Sequence, residues 1–363
     1  MSEFQGKDRI GVLFGGKSQE HEISVLSAAS LMDAIDRDLH EVVPVAIAKD
    51  GEWYAIDSDM GGLCALDDPR MGRLIPHVAE GVSVADCPGA RPVDVASFTS
   101  SVDFVFPMLH GPNGEDGSVQ GLFETLGVPY AGCGISSSAV AMDKIMAKGL
   151  LAQAGVPVLD YVYTTLADYR ADMSGELSRI EEALGHSVYV KPANLGSSVG
   201  VSRAGRRAEI ANAIAKALSY DHRVIIEKES LGRELEVAVL GNEKPEVGAV
   251  GEVVTGGGFY DYDTKYKNNA FELIVPADIS ADVEERIRDL TILTYKTFDC
   301  AGFARLDFFY NEEDDEIYVN EMNTIPGFTQ YSMFPRLWAE AGLAYPDLIE
   351  RIIELGYERY SVE

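Results

Sequence analysis

Apolar positions along this chain follow two periods, and the switches between them mark out its elements. The short apolar run Arg9–Phe14 ends in Gly15-Gly16, after which Val25, Ala28, Met32 and Ile35 recur on one helical face. Strand, glycine turn and helix in that order predict the opening of a doubly wound α/β unit. Residues 42–48 and Phe104–Leu109 read as further strands, Val119–Leu126 as a helix, and Val128–Ala131 as a short strand closing the unit near residue 132. Ser136–Ala154 carries one helical pattern, stopped by Gly155 and Pro157. Residues 176–184 and 207–219 are helical as well, and Ser187–Pro192 and Arg223–Ile226 are strands. Arg233–Leu240 alternates as an antiparallel strand should and turns at Gly241-Asn242. Ser280–Thr297 is an amphipathic helix, and Met333–Leu355 is mostly helical. Between them Phe303–Tyr310 and Ile317–Met322 flank an acidic turn and predict a hairpin. Two stretches have no period: residues 57–100, and the glycine- and tyrosine-rich Gly256–Lys267, whose length suits a lid or a disordered loop.

Composition narrows the partners. The 363 residues are enough for two or three domains. Acidic residues outnumber basic ones, 59 to 30, for a net charge of -29. That excess argues against nucleic acid and anionic membrane as partners, and an anionic substrate would need a local basic pocket. Cys64, Cys87, Cys133 and Cys300 are widely spaced with no CxxC, which predicts reduced structural thiols in a cytoplasmic protein. No run reaches transmembrane length, and the first residues lack the apolar core of a signal peptide.

Candidate chemistry concentrates in a few places. In the hairpin, Arg305 and Asp307 are two apart, as are Glu321 and Asn323, and a strand puts residues i and i+2 on one face. Such clusters commonly just face water. As a set of hard oxygen donors, however, this one suits Mg²⁺ shared with phosphates better than zinc. Lys191 ends a strand ahead of Asn194–Gly200, a glycine/serine loop leading to another strand. That order is not the strand-to-helix P-loop; it is either an ordinary hairpin or a flap presenting N–H groups and hydroxyls to phosphate, and the lysine favours the flap. Lys144 and Lys148, on the helical stretch before Gly155, read as solvated surface on their pattern alone. Glu20, near a helix start, complements the helix dipole or holds a substrate ammonium at the strand's carboxyl end. His110, in a loop with three glycines, is a hydrogen-bonded loop residue or a site residue. The Gly15-Gly16 turn does not form the GxGxxG dinucleotide fingerprint.

Taken in order, GGKSQEHEIS, HGPNGEDG, MDK, VKPANLGSSVGV, IIEK, FYDYDTKY, ARLDFF and NEMNTIPGFT resemble the D-alanine-D-alanine ligase family of the ATP-grasp superfamily. The likeness runs from about residue 9 to about residue 355 and is poor over residues 57–100. It implies an α/β, three-domain ATP-grasp architecture: an N-terminal doubly wound, Rossmann-like domain (1–132) and two α+β domains (133–230 and 231–363) sandwiching ATP. The resemblance also implies roles. Lys144 and Lys191 hold ATP phosphates under the Gly196–Gly200 flap with Ser197 and Ser198. Glu227 and Lys228 meet the adenine, Glu234 the ribose, and Lys265 the transferring phosphate. Asp307, Glu321 and Asn323 ligate two Mg²⁺ (or Mn²⁺) ions. Glu20 holds the first substrate's ammonium in a network with Ser197 and Tyr266. Arg305 and the backbone around Gly327 stabilise an oxyanion, and Ser332 meets the second substrate's carboxylate. The general base is left open between Tyr266 and His110, acting directly or through Ser197.

The activity implied is ATP-dependent joining of two D-alanines through an acyl phosphate for peptidoglycan synthesis, by a homodimer. Ligation to D-lactate is disfavoured by Tyr266 and ligation to D-serine by Met333. Another carboxylate–amine ligase is disfavoured by EHEIS and NTIPGFT. A non-catalytic nucleotide-binding module would have lost lysine or metal positions, and all of them are present.

Overall fold

Three sheets organise the chain. A computed structural model describes residues 6–56, 64–65, 77–78, 84–86, 89–255 and 271–361. The first unit contains Asp8–Gly15 (β1), His40–Ile47 (β2), Trp53–Ala55 (β3), Cys64–Ala65 (β4), His77–Val78 (β5), Arg91–Pro92 (β6) and Phe104–Met108 (β7). Its main sheet has the order β6-β3-β2-β1-β7, with β1 parallel to both β2 and β7. Ile10, Val12, Leu13 and Phe14 are fully buried, as in a parallel strand covered on both faces. The chain leaves β1 towards β2 through the helix His21–Ala34 and later returns to β1's other side as β7. This reversal is a topological switch point, where the loops after β1 and β7 face one crevice. The strand expected at Val128–Ala131 is reduced to one parallel bridge, Val105 to Tyr130, because Pro129 has no N–H to extend a ladder. Within 57–100, a short helix at Val95–Thr99 is capped by Asp94.

The second sheet is antiparallel, ordered β10-β9-β11-β8, from Tyr161–Thr165 (β8), Val188–Pro192 (β9), Ser202–Ala204 (β10) and Arg223–Lys228 (β11). Its core packs Val188, Val190, Val224 and Ile226 against Ile180 and Ile210 of two helices. The third is ordered β14-β13-β12-β15-β16, from Arg233–Leu240 (β12), Glu246–Thr255 (β13), Phe271–Ile274 (β14), Phe303–Asn311 (β15) and Glu316–Asn323 (β16).

The single helix expected over Ser136–Ala154 is two, Ile135–Met142 and Lys144–Gln153, meeting at Asp143. Asp143 has extended backbone and its carboxylate accepts the N–H groups of Ile145 and Met146, each at 3.1 Å. It thereby caps the second helix while Arg223 holds its other oxygen at 2.5 Å. Lys144 N donates to Ala193 O at 3.0 Å, so the break fastens Lys144 to the second sheet. These helices share a core with the third sheet, Cys133 and Leu151 packing with Leu235, Val237 and Leu306. The C-terminal helical stretch is likewise two helices, Met333–Glu340 and Tyr345–Tyr360. An aromatic cluster joins the first and third units: Phe106 lies 6.1 Å from Phe303 and 5.6 Å from Phe328, centroid to centroid.

Candidate active site

A cleft with about 1050 Å³ of empty space lies between the second and third sheets. Alternation along β9 aims Lys191 into it, where Nζ sits 2.5 Å from Glu227 Oε2 on β11. Lys148 approaches the other oxygen of Glu227 at 3.1 Å, and both residues are only 2% exposed. The surface reading of Lys148 is therefore excluded. Burial alone would raise the Glu227 carboxyl, but the ammonium groups of Lys148 and Lys191 outweigh it and hold the pKa at about 2. Lys144 donates to Leu195 O at 2.9 Å and lies 3.4 Å from Glu321. An acidic protein thus carries a local cluster of lysines where an anion would need one.

The flap beside them is a tight turn. Ser197 (φ 48°) and Ser198 (φ 57°) are consecutive non-glycine residues in the left-handed region, a conformation costing about 1 kcal/mol or more apiece. Such turns present backbone N–H groups to anions. Both serines, with Glu234, line the cleft. Lys228 is exposed at the end of β11, with its N–H on Asp160 O.

On the opposite wall the hairpin register sets Arg305 against Asn323 and Asp307 against Glu321, so all four share the face expected from their spacing. Arg305 Nε and Nη2 each donate to Asp307 at 2.7 Å, and Asn323 Nδ2 donates to the same carboxylate at 3.0 Å. Glu236, directly across from Asp307 on β12, is 3.0 Å from Arg305 Nε. It was not anticipated, although its i+2 spacing from Glu234 would have placed it on this face. Among the described residues no group of three or more His, Cys, Asp or Glu side chains is arranged for a metal. Two carboxylates and a carboxamide still suit a hard cation whose remaining ligands are phosphate oxygens and water.

Where the switch-point loops meet the flap, Glu20 accepts a hydrogen bond from the Ser197 hydroxyl. A methyl group on Gly111 would lie 2.5 Å from Glu20 Oε2, and one on Gly196 3.2 Å, so the carboxylate is wedged between the two loops. His110 is buried with both ring nitrogens engaged: Nδ1 donates to Ile325 O at 2.8 Å and Nε2 meets Ser27 Oγ at 2.9 Å. Burial lowers its pKa and keeps it neutral. Glu115 was also missed; it accepts the N–H groups of Gly111 (2.8 Å) and Ile325 (2.9 Å), a partnership across 210 positions that no local pattern reveals. Burial, and then the neighbouring Glu20 carboxylate, push Glu115 up to about 8. A methyl on Gly327 would come within 3.3 Å of Ser332 Oγ, which pairs with Thr329 Oγ1 at 2.8 Å. Lys265 and Tyr266 lie outside the described residues.

Comparison with known proteins places the chain. The family model described as D-ala D-ala ligase N-terminus matches residues 9–133, and the one described as D-ala D-ala ligase C-terminus matches residues 150–354. The D-alanine--D-alanine ligase of Acetivibrio thermocellus is 43% identical over 98% of this chain and 97% of its own length. Among solved structures, the VanG D-Ala:D-Ser ligase from Enterococcus faecalis superposes with a TM-score of 0.82 at 34% identity, covering 97% of this chain and 100% of that one. D-alanine--D-alanine ligase from Bacillus anthracis complexed with ATP gives a TM-score of 0.73 at 25% identity, covering 98% and 99%. Matched by its family models over most of its length and by a relative at 43% identity, the chain belongs to the D-alanine--D-alanine ligase family.

Proposed function

We propose that this protein joins two molecules of D-alanine into D-alanyl-D-alanine at the expense of ATP, supplying a peptidoglycan precursor. The observation that carries this reading is the Glu20–Ser197 hydrogen bond, which fastens a carboxylate suited to a substrate ammonium to a flap suited to phosphate. Relatives at 41–43% identity bear the same activity in their names.

A carboxylate is a poor acyl donor, so it is first phosphorylated. Glu20 orients the first D-alanine through its ammonium, and the substrate carboxylate attacks the terminal phosphorus of ATP. Lys144, Lys191 and the Ser197–Ser198 turn hold the phosphates in line, positioning and charge stabilisation being most of what phosphoryl transfer needs. Asp307, Glu321 and Asn323 would hold divalent ions, Mg²⁺ or Mn²⁺, that neutralise charge on the phosphates. The amine of the second D-alanine, its carboxylate directed by Ser332, then attacks the acyl phosphate. Charge collects on the carbonyl oxygen, where Arg305 and Gly327 N–H stabilise it; one such donor is worth about 3 kcal/mol. Collapse expels inorganic phosphate and leaves the new amide. Lys265 and Tyr266 complete the site in this reading, as a phosphate ligand and as a partner of Ser197. With both nitrogens of His110 engaged, Tyr266 is the better candidate for the base. A cytoplasmic homodimer belongs to the same reading.

Incubation with Mg²⁺-ATP and D-alanine, with and without D-serine or D-lactate, tests it by product mass. D-alanyl-D-alanine and ADP in equal amounts, with the dipeptide dominating in the mixtures, is the expected result. A mixed product in excess would move the second substrate to D-serine or D-lactate, and ADP without any dimeric product would overturn the ligase assignment.

A further inference from the structure

The segment that carries Gly327 is held from outside its own unit at nearly every point. Ile325 is gripped by both peptide groups: its N–H donates to Glu115 Oε1 at 2.9 Å, and its C=O accepts from His110 Nδ1 at 2.8 Å. Pro326 follows, with a fixed φ and no N–H, and restricts Ile325 in turn, so Ile325-Pro326 is a stiff dipeptide pinned at its start. Beyond Gly327, Phe328 N donates to Ser27 Oγ at 3.4 Å and Phe328 O accepts from the Tyr345 hydroxyl at 2.5 Å. Ser27 and His110 are themselves bonded at 2.9 Å. Proton positions agree around this circuit. Phe328 N–H donates to Ser27, the Ser27 hydroxyl donates to His110 Nε2, and His110 Nδ1–H donates to Ile325 O, which requires the neutral imidazole that burial favours. The Glu115 carboxyl closes the loop on its own side by accepting Gly111 N–H at 2.8 Å.

We propose that Glu115, backed by His110 and Ser27, is a positioning residue that sets the Gly327 N–H for acyl transfer and leaves phosphoryl transfer untouched. The inference rests on the role given to Gly327 in the proposed function. The Glu115, His110 and Ser27 anchors fall on both sides of the Gly327 peptide and come from the unit that also carries Glu20. The donor to the oxyanion is therefore registered against the holder of the first substrate's ammonium, and not merely against its own sheet. Glu20 flanks the same Gly111 whose N–H Glu115 accepts. Burial is the larger cause of Glu115's raised pKa and the Glu20 carboxylate the next; a substrate ammonium on Glu20 offsets the second and so shifts Glu115 towards the ionised form able to accept both N–H groups.

Glu115→Gln tests this, because the carboxamide keeps the shape but turns one acceptor into a donor facing an N–H. Single-turnover ADP formation and dipeptide formation are followed together in the full-length enzyme with D-alanine and Mg²⁺-ATP. ADP appearing at the wild-type rate, dipeptide forming ten- to a hundredfold more slowly, and more than one ADP released per dipeptide as the stranded acyl phosphate meets water are the expected results. A merely structural role would slow both steps and leave the ratio at one, and that result overturns the proposal, as does a variant indistinguishable from wild type. If Glu115→Gln does not fold, Ser27→Ala, which removes the anchor on the far side of Gly327, must show the same excess of ADP, and a ratio of one there overturns it. A wild-type enzyme that makes no dipeptide overturns the proposed function itself, whereas a coupled wild type with a coupled variant overturns only the positioning role.

Discussion

At the scale of single residues, the Lys148–Glu227–Lys191 group shows where charge is buried and why. Glu227 is held at about 2 against a usual 4.5, and a carboxyl whose folded pKa is depressed stabilises the fold above its unfolded pKa. That contribution is complete above pH 4.5 and lost as the pH falls through 4.5 towards 2, and burial, which pushes the pKa of the Lys148 ammonium down, offsets part of it. Lys148→Met removes one of the two ammonium groups and leaves the carboxylate with Lys191 alone. Urea unfolding is expected to show the variant about 3 kcal/mol less stable at pH 7, with the gap narrowing on acidification below pH 4.5. A gap that stayed constant with pH would assign the loss to packing. The hairpin residues Arg305, Asp307, Glu321 and Asn323 were legible because alternation is a local rule. Lys148 was not: a helical pattern treats lysine as a surface residue, and its partner on β11 is distant in sequence. Glu115 eluded the sequence for the same reason, since Ile325 comes to it only through the fold.

At the scale of elements, the break at Asp143 decides where Lys144, proposed above to hold phosphate, points. Periodicity predicts one continuous helix because apolar positions carry on through 143, and only a capping aspartate inside the pattern signals the interruption. Sequence rules weigh that signal poorly, as an aspartate on a helix surface is ordinary. Asp143→Ala forfeits a cap for two N–H groups and the partner of Arg223. A loss of about 2 kcal/mol is expected in thermal unfolding, with weaker binding of an ATP analogue in calorimetry as Lys144 loses its register with Leu195. Unchanged nucleotide affinity would mean that the Lys144–Leu195 contact holds without the break. The Val128–Ala131 strand fell short for a plainer reason: its apolar run was correct, but Pro129 limits pairing to one bridge.

At the scale of the whole molecule, the sequence told the order of elements but not how they share cores. The helices of residues 135–153 precede the second sheet in the chain yet pack with the third, and the C-terminal helix Tyr345–Tyr360 contributes Ile349, Ile352 and Ile353 to a core with β1 and β7. Contiguous spans cannot express this exchange, because it arises from which apolar faces remain uncovered once each sheet has formed. Phe106, Phe303 and Phe328 join the first unit to the third, so Glu20, the flap and the Gly327 segment meet across one crevice. That convergence makes sense if one site both activates a carboxylate with phosphate and passes it to an amine. D-alanine labelled with ¹⁸O in its carboxylate measures this directly, by mass analysis of the phosphate released with Mg²⁺-ATP. One labelled oxygen in the inorganic phosphate for each dipeptide formed is the result predicted, since the carboxylate oxygen that attacks phosphorus leaves with it. Unlabelled phosphate alongside dipeptide would show that the carboxylate is never phosphorylated, and would contradict the acyl phosphate route on which the roles of the lysines, Arg305 and Gly327 depend.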